Sequence, residues 1–327
     1  MFLKLLILKV KFKITNYNIG MFTCNKIAKS IYPKQDRILV IGDLHGDFDK
    51  TKELFKKLKL IDNSDNWIAF PKKTFVVQMG DQVDGGGRGD GDTRGELKLL
   101  KFMEDINKKA LQVGGAVISL IGNHEIMNLI GDFRYASEHD IKDVGGIEVR
   151  KKIFKPGGDL FNKLSCTRNV VVKIGSWVFV HAGILPNHVN NYNLAENNTQ
   201  SIIKGDKWFE SVNNLMRLFM QGKKTTFDTE IQKLFLNEKG IIWDREYGSN
   251  EPKCEIWDKT KKLLGADKIV IGHTIQEKIN SKCDEQIWRV DVGMSSLFGT
   301  GNTQVLEILD NGEPLPKNRF KPIKILE

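Results

Sequence analysis

Residues 37–47 read RILVIGDLHGD, an apolar run that ends in glycine, aspartate and histidine. A continuous apolar run of this kind is typical of a strand buried on both faces, as in a parallel sheet. Residues 48–60 follow with FDKTKELFKKLKL, in which apolar residues recur at helical spacing. Strand, loop and helix in this order predict the first unit of an α/β fold.

The same order of elements recurs twice along the first half of the chain. Residues 74–80 (TFVVQMG) predict a second buried strand, which is followed by a loop rich in Gly and Asp and by a helical pattern at 93–112. Residues 116–122 (AVISLIG) predict a third strand, and residues 125–165 are mainly helical in pattern. Three parallel strands with intervening helices are therefore expected.

The second half of the chain contains shorter strands of hairpin character. Residues 169–174 and 177–181 flank Gly175 and Ser176, which predicts a hairpin. Further strands are predicted at 268–272, 288–292 and 303–309, the last of them before a turn at Asn311 and Gly312. We expect an α/β fold in which a two-sheet β-sandwich is flanked by helices.

The chain of 327 residues, 40% of them hydrophobic, is long enough for one large core. Residues 1–30 are predicted to be a loosely ordered N-terminal extension, and residues 31–327 one catalytic domain. Residues 190–240 are Asn-rich and then helical, which predicts an inserted helical cap. The apolar residues near the N-terminus are broken by lysines, so neither a signal peptide nor a membrane span is expected.

Charge and cysteine content limit the classes of function. The formal net charge is +9, but Lys is scattered among Asp and Glu without a dense basic run, so neither nucleic acid nor a membrane is expected as a partner. A diffuse positive field would attract anionic substrates. The four cysteines lie far apart and form no C-x-x-C pair, which argues against a thiolate zinc site or a disulfide framework. A reducing, cytoplasmic location is therefore predicted.

Polar residues follow five of the predicted strands. The carboxyl ends of strands in α/β sheets are where ligands bind. Any one of these segments alone could be a turn or a helix cap, but five in series favour a shared site. The segments are Gly42-Asp43-Leu44-His45-Gly46-Asp47, Gly80-Asp81-Gln82-Val83-Asp84, Gly122-Asn123-His124-Glu125, His181-Ala182-Gly183 and Gly272-His273-Thr274.

These residue types suit a pair of divalent metal ions. Carboxylate, amide oxygen and imidazole ligands together favour Mn, Fe or Zn, of which Mn is our first expectation. The carboxylate of Asp81 has two oxygens and could bridge two ions. Two ions about 3.5–4 Å apart lower the pKa of a water and hold phosphoryl oxygens. His139 and His188 lack such a context and are assigned to the surface. The candidate ligands are Asp43, His45, Asp81, Asn123, His181 and His273.

The series GDLHGD, GDQVD, GNHE, HAG and GHT resembles the calcineurin-like metallophosphoesterases, in particular the phosphoprotein phosphatase type, over about residues 36–295. The resemblance implies a four-layer αββα sandwich. It also implies that His124 donates a proton to the leaving group and that Asp84 orients His124. The implied ligands are Asp43, His45 and Asp81 for the first metal, and Asp81, Asn123, His181 and His273 for the second.

Three further stretches are similar to the Shewanella-like protein phosphatases. They are GNHEIMNLIGDFRY at residues 122–135, IWDR at 242–245 and DVGMS at 291–295. Nuclease-like members of the superfamily tend to end in Gly-His-x-His, whereas His273 here is followed by Thr274 and Ile275. That difference favours the phosphoprotein phosphatase or dinucleoside tetraphosphatase branch.

One departure from the family pattern concerns the substrate phosphate. The family places an Arg that holds phosphate directly after the residue equivalent to Asp84, but glycines occupy 85–87 here. A guanidinium is the donor that a phosphate prefers, and Arg134 and Arg245 are the candidates. Arg88 could swing in from its Gly-rich loop, although a solvated loop is the interpretation we adopt for it.

The resemblance implies a metal-dependent phosphatase acting on phosphomonoesters. The substrate would be a phosphorylated protein or peptide, on Ser/Thr or Tyr, or a small phosphate ester. A dinucleoside polyphosphate hydrolase with the same metal centre is the alternative from another substrate class. A catalytically inactive binding module is a third hypothesis, which the complete set of ligand residues disfavours.

Overall fold

The structure, a computed structural model, describes residues 24–88, 91–190, 204–299, 303–310 and 323–326. Its strands are β1 (Ile31–Tyr32), β2 (Arg37–Ile41), β3 (Phe75–Gln78), β4 (Ala116–Ser119), β5 (Val171–Ile174), β6 (Trp177–Val180), β7 (Lys268–Ile271), β8 (Asn280–Lys282), β9 (Ile287–Arg289), β10 (Val305–Leu309) and β11 (Ile323–Leu326).

Helices lie between many of these strands. They are α1 (Phe48–Lys57), α2 (Glu96–Leu111), α3 (Asn123–Leu129), α4 (Glu138–Asp143), α5 (Ile147–Phe154), α6 (Asp159–Thr167), α7 (Pro186–Asn190), α8 (Asp206–Met220), α9 (Thr229–Ile231) and α10 (Cys254–Leu264). A π-helical turn at Gln232–Leu236 continues α9, and a 3-10 turn lies at Ser296–Phe298.

The strands form two sheets. The first has the order β11-β10-β2-β3-β4, in which β2, β3 and β4 are parallel and β10 is antiparallel to β2. The second has the order β1-β5-β6-β7-β9-β8, in which β6, β7 and β9 are parallel and β5 pairs with β6 as the predicted hairpin. Each sheet thus contains three neighbouring parallel strands whose carboxyl ends share one edge.

The second sheet is apolar on both faces because it separates two cores. Val172, Ile174 and Phe179 belong to the core that also contains the side chains of β2 and β3. Their neighbours Val171 and Val178 belong to the core formed with α6, α8 and α10. Alternation of side chains along a strand produces this division. The predicted α/β fold, two packed sheets with helices outside, is confirmed.

Two segments pack more closely than the sequence suggested. Residues 24–30, predicted as the end of a loose extension, are hydrogen-bonded to the domain, for example from Ala28 N to Cys166 O (2.8 Å); residues 1–23 lie outside the described part. The described part of the predicted insert, 204–240, is helical. Its α8 is not a projecting cap, because Trp208, Phe209 and Met216 are fully buried in the core beside β5.

The prediction of unpaired cysteines was wrong. Cys24 is bonded to Cys166, and Cys254 is bonded to Cys283. The first pair joins the N-terminal segment to α6, and the second joins the start of α10 to the turn between β8 and β9. Sequence separations of 142 and 29 residues hid these contacts. The cysteines therefore no longer support a reducing location.

Across the described ranges, no helix combines the length and the apolar content that a membrane span requires.

Candidate active site

Five strand ends meet at one edge of the sandwich. In the first sheet, the segments that follow β2, β3 and β4 provide Asp43 and His45, Asp81, and Asn123 and His124. In the second sheet, the segments that follow β6 and β7 provide His181 and His273. All of these side chains are buried or nearly so. The structure therefore brings together the six candidate metal ligands and His124, the candidate proton donor.

The backbone bends sharply where the ligands leave their strands. His45, Asp81 and His273 all have positive φ, at 43°, 52° and 64°. Non-glycine residues adopt this region at a cost, and such residues cluster at functional sites. Gly80, at φ 102°, lies so close to the next strand that a Cβ there would be 2.7 Å from Gly122 N. These bends turn the side chains toward one another across the sheet edge.

Asp81 is common to two groups of potential ligands. One group is His45, Asp81 and His124, and the other is Asp81, His181 and His273; within each group the ligand atoms lie within 4.8 Å of one another. A carboxylate shared by two groups is the arrangement expected of a bridging ligand. His124 stands in the first group, beside the predicted ligand His45.

The other two predicted ligands, Asp43 and Asn123, lie against the histidines. Asp43 Oδ1 is 4.0 Å from His181 Nδ1, and Asp43 Oδ2 accepts a hydrogen bond from His273 N at 3.1 Å. Asn123 Oδ1 is 2.9 Å from His181 Nε2. Both side chains therefore lie beside the histidines of the second candidate ligand group.

Buried atoms without partners indicate where a cation would fit. Asp43 Oδ1 and His45 Nδ1 are buried and make no hydrogen bond. Leaving a buried polar atom unpaired is costly, and both atoms belong to ligands predicted for the first metal. The donor set of carboxylate, imidazole and amide also suits Mn, Fe or Zn. The residues present therefore fit a two-metal centre.

The backbone fixes which nitrogen of each histidine faces the centre. His181 Nδ1 donates to Met79 O at 2.8 Å, so Nε2 is directed to Asp81 Oδ2, 3.2 Å away. His273 Nε2 donates to Trp243 O at 3.0 Å, which leaves Nδ1 free to bind. Ligating histidines commonly donate their second N–H to a carbonyl in this way.

The pKa shifts at this edge of the sandwich show how strongly these groups interact. Burial lowers the pKa of His45 to about 3, so its imidazole is neutral and able to bind a cation. Burial and the nearby Asp291 raise the pKa of Asp43 well above its usual value. Burial also opposes ionisation of Asp81, but His181 and His124 hold its pKa well below normal. The pKa of His181 is about 10, because Asp81 and Asp43 outweigh burial.

His124 and Asp84 form a buried pair beside the metal ligands. His124 Nδ1 donates to Asp84 Oδ2 at 2.7 Å, and His124 N donates to Asp81 Oδ1 at 2.9 Å. The carboxylate can only accept, so Nδ1 carries the proton and Nε2 is the nitrogen available to a substrate. The geometry matches a proton donor oriented by an acidic residue.

A cavity of about 390 Å³ opens over this centre. Its floor consists of five of the predicted ligands and His124, whereas the sixth ligand, His181, is fully buried and does not line it. Its walls combine arginines with aromatic and aliphatic side chains. Of the described residues 204–240, none lines it, so α8 does not shape access to the site. The wall residues are Arg88, Met127, Asp132, Arg134, Tyr135, Trp243, Arg245, Ile275 and Asp291.

Arg134 and Arg245 both line the cavity from exposed positions. The side chain of Arg134 is 67% exposed and pairs with Asp132 at 2.8 Å. Arg245 donates to Thr274 Oγ1 at 3.2 Å. Arg134 is thus already engaged by a carboxylate, whereas Arg245 has only a neutral partner among these contacts.

The assignment of Arg88 to a solvated loop was wrong. Its guanidinium lies 4.5 Å from the centroid of the Tyr135 ring and contacts the His124 imidazole. The loop folds back over the site because Gly86 N donates to Tyr135 O at 2.9 Å. Arg94, farther along the same segment, is 2.7 Å from His139 Nδ1. A sequence cannot show that a Gly-rich loop returns to the site.

The assignment of His188 to the surface was also wrong. His188 is 5% exposed; its Nδ1 accepts from Leu185 N and its Nε2 donates to Lys239 O. Burial lowers its pKa to about 4. A buried histidine whose two ring nitrogens are both paired is structural. His139 is partly exposed.

Glu125 was quoted within a motif, but its role was missed. Its carboxylate accepts hydrogen bonds from Asp81 N (3.0 Å), Gln82 N (2.6 Å) and Gly122 N (2.7 Å). It therefore joins the β3 and β4 segments and fixes the backbone that carries the shared ligand. Its place in the first turn of α3 was a usable indication, because acidic residues there bond to free backbone N–H groups.

Comparisons with known proteins agree with this geometry. Residues 36–277 match the family model described as calcineurin-like phosphoesterase. Shewanella-like protein phosphatase 2 of Arabidopsis thaliana is 29% identical over 331 residues, covering 87% of this chain and 78% of that protein. Shewanella-like protein phosphatase 1 of Plasmodium berghei is 26% identical over 292 residues, covering 84% and 74%.

A solved structure shares the fold. The cold-active protein-tyrosine phosphatase of a psychrophilic Shewanella species superposes with a TM-score of 0.69 at 25% identity, covering 88% of this chain and 79% of that one. The family match extends from β2 past His273 and so spans every candidate metal ligand. The chain therefore belongs to the calcineurin-like phosphoesterase family, alongside the Shewanella-like protein phosphatases, and is a phosphatase.

Proposed function

We propose that this chain is a two-metal protein phosphatase that hydrolyses phosphomonoesters of phosphorylated proteins or peptides. The observation that carries the proposal is the carboxylate of Asp81, shared by two ligand groups on the floor of a cavity that also contains the Asp84–His124 pair. Metal ligands and a proton donor side by side serve phosphoester hydrolysis.

Two divalent ions fit the floor, with Mn as the first candidate and Fe or Zn as alternatives. When bound, they supply Lewis acid chemistry: they neutralise phosphoryl oxygens and lower the pKa of the attacking water. The first would be held by Asp43, His45 and Asp81, and the second by Asp81, Asn123, His181 and His273.

His124 would then protonate the leaving oxygen from Nε2. Asp84 keeps the ring oriented through Nδ1 and stabilises the protonated imidazole before transfer. Both side chains are buried, so little water competes for the proton. General acid catalysis of this kind typically contributes about 10²–10⁴-fold in rate.

Arginines would hold the phosphoryl oxygens that the metals do not contact. The Arg88 guanidinium faces His124, and Arg245 stands on another wall of the same cavity. Because the Arg88 guanidinium contacts the His124 imidazole, a phosphoryl oxygen held by Arg88 would lie beside the leaving oxygen that His124 protonates. We assign the closest phosphate contacts to Arg88 and Arg245, with Arg134 farther out on the rim.

The walls favour a phosphotyrosine substrate. Met127, Tyr135, Trp243 and Ile275 give the cavity apolar and aromatic sides beside the phosphate position. Such surface packs against the phenyl ring of phosphotyrosine better than against the short side chain of phosphoserine. The superposed Shewanella structure is named as a protein-tyrosine phosphatase. We therefore place phosphotyrosine ahead of phosphoserine and phosphothreonine.

A substrate panel tests the proposal. Purified protein, loaded with Mn²⁺, is given one peptide that carries phosphotyrosine, phosphoserine or phosphothreonine, and separately diadenosine tetraphosphate; Asp81→Asn is the control for contaminating phosphatases. We expect the largest kcat/KM on the phosphotyrosine peptide. Faster turnover of diadenosine tetraphosphate would establish the alternative function, and no turnover with both metals bound would favour an inactive binding module.

A further inference from the structure

Arg150 is a buried arginine that belongs to none of the metal-binding motifs. It lies in α5, and its side chain is 0% exposed. The guanidinium carbon is 4.3 Å from the centroid of the Phe154 ring and 5.4 Å from that of Phe133. An arginine removed from water needs strong partners, because an unpaired buried charge costs a great deal of free energy.

Glu96 and Asn128 are the principal partners of Arg150. The two terminal nitrogens of Arg150 contact the two carboxylate oxygens of Glu96, the NH2–Oε2 distance being 3.0 Å. Paired contacts of this kind are the strongest that a guanidinium makes. Arg150 also donates to Asn128 Oδ1, from Nε at 3.2 Å and from NH2 at 2.7 Å.

These bonds continue from Arg150 to His124. Asn128 Nδ2 donates to Asp84 Oδ1 at 2.8 Å, and Asp84 Oδ2 accepts from His124 Nδ1 at 2.7 Å. Arg150 NH2 itself is 3.5 Å from Asp84 Oδ1. Asn128 Nδ2 also donates to His124 O at 2.9 Å. The Asn128 amide is therefore bonded to the backbone of His124 directly and to its imidazole ring through Asp84.

We propose that Arg150 is a positioning residue for the proton donor. An asparagine amide can face either way, but Arg150 offers only donors and therefore fixes Asn128 Oδ1 toward itself and Nδ2 toward Asp84. One oxygen of Asp84 is then occupied, and the other is left to orient His124. The guanidinium also supplies positive charge between the buried carboxylates of Glu96 and Asp84. The inference rests on the proposed role of His124.

Lysine should replace Arg150 poorly. An ammonium is a point charge that cannot hold Glu96 through two parallel bonds and Asn128 at the same time. We therefore expect Arg150→Lys to keep the fold and to recover only part of the activity that Arg150→Met loses. Residues that orient metal ligands are typically worth about 10–100-fold, and we expect a loss of similar size for a residue that orients the proton donor.

The test compares phenyl phosphate with 4-nitrophenyl phosphate. The two esters have similar shape, but phenolate is the more basic leaving group and needs the proton more. Arg150→Met should lower kcat on phenyl phosphate by about 10–100-fold and on 4-nitrophenyl phosphate by less than about threefold. Metal content should stay unchanged. In a His124→Asn background, Arg150→Met should add no further selective loss.

Arg168→Met is the matched control. Arg168 is also buried, at 3% exposed, but donates to Gln82 Oε1 and Leu100 O and not to Asp84. It should lower thermal stability without changing the ratio of the two rates. If Arg150→Met does not fold, Glu96→Gln/Arg150→Met removes both buried charges and carries the same expectation.

The outcomes separate the inference from the proposed function. If His124→Asn slows both esters equally, the acid role of His124 fails and the inference fails with it. If His124→Asn is selective for phenyl phosphate but Arg150→Met slows both esters equally, only the inference is overturned. It is also overturned if the selective loss persists in the His124→Asn background, since Arg150 would then act elsewhere.

Discussion

The floor of the active site and its rim differ in how firmly the fold holds them. The floor, taken together with the buried ligand His181, holds the six proposed ligands, all of them on strand ends and most of them buried. The rim is Arg88, Arg134 and Arg245, which project from loops and are half-buried or exposed. Floor residues are fixed by backbone bonds, such as His181 to Met79 O, whereas Arg245 has one side-chain contact at 3.2 Å.

This difference assigns reaction and substrate choice to different parts of the chain. The floor is organised before any substrate arrives, which is what electrostatic and metal catalysis require. The rim can rearrange at little cost, because its loops lie outside the sheets. The missing family arginine after Asp84 is a change in the rim alone, and the floor keeps every ligand.

Removing the shared ligand should have the largest effect. Asp81→Asn removes the charge that two ligand groups have in common. Metal-ion catalysis is worth several kcal/mol, so we expect kcat to fall by about 10³-fold or more. Elemental analysis should find that most of the bound metal is lost. Full metal occupancy in this variant would show that Asp81 is not a bridge.

A methyl group on the floor should have the next largest effect. In Gly122→Ala the new Cβ would lie 2.2 Å from Asp81 Oδ1 and 2.6 Å from Asp81 N, so the carboxylate must move. Overpacking of this kind costs about 1–3 kcal/mol, and we expect metal affinity, measured by titration, to fall by about 10–100-fold.

Gly131→Ala is the control for the glycine substitution. Gly131 has φ 86° but no atom within 4 Å of a Cβ placed there, so this change tests backbone strain alone. Stability should fall while metal affinity is kept. Equal metal affinities of the two variants would mean that the floor tolerates displacement of Asp81.

Rim substitutions should have smaller effects, and unequal ones. Arg88→Ala and Arg245→Ala should each weaken inhibition by inorganic phosphate about 10-fold, since a charge-assisted hydrogen bond is worth about 1.5–3 kcal/mol. Arg134→Ala should change it by less than about threefold, because Arg134 is paired with Asp132. Metal content should not change in any of the three. If Arg134→Ala alone greatly weakened inhibition by inorganic phosphate, we would conclude that phosphate binds at the outer rim, beside Arg134.

His188, outside both regions, should affect stability but not turnover. Its pKa is about 4 in the folded protein, against an ordinary 6.5, so between these values the unfolded chain binds the extra proton. Stability should therefore fall as pH decreases through this window, by about 3 kcal/mol in total. Denaturant titrations should show a flatter pH dependence for His188→Gln, with kcat at neutral pH unchanged. Identical slopes would show that His188 does not titrate in this window.

The floor could be predicted from the sequence because local chemistry determines it. Apolar strands, a following glycine and a polar ligand are neighbours along the chain, and parallel strands bring their carboxyl ends to one edge. Asp43, Asp81 and His273 were therefore identified before the fold was known. The hairpin at Gly175 was predicted on the same grounds and is present in the second sheet.

Contacts that depend on the return of a distant segment could not be predicted. Arg88 reaches the site because Gly86, in the same loop, donates to Tyr135 O. Tyr135 lies 47 positions after Arg88 in the sequence. Arg150 of α5 meets Glu96 at the start of α2, 54 positions away along the chain, and nothing in the residues beside Arg150 indicates this contact. The cysteine pairs show the same limit, because a bond across 142 residues leaves no local pattern.

The Cys24–Cys166 bond turns part of the chain into a closed covalent ring. The segments that carry Asp43, Asp81 and Asn123 lie inside the ring, whereas those that carry His181 and His273 lie outside it. In the unfolded protein the disulfide therefore limits the distance between the segments of Asp43, Asp81 and Asn123. The segments of His181 and His273 are not restricted by this bond and join the others only on folding. In the chain-entropy description, a ring of this size lowers the conformational entropy of the unfolded state. This raises the free energy of unfolding by about 5 kcal/mol. The disulfide therefore keeps the segments of three candidate metal ligands within one closed loop even when the protein is unfolded.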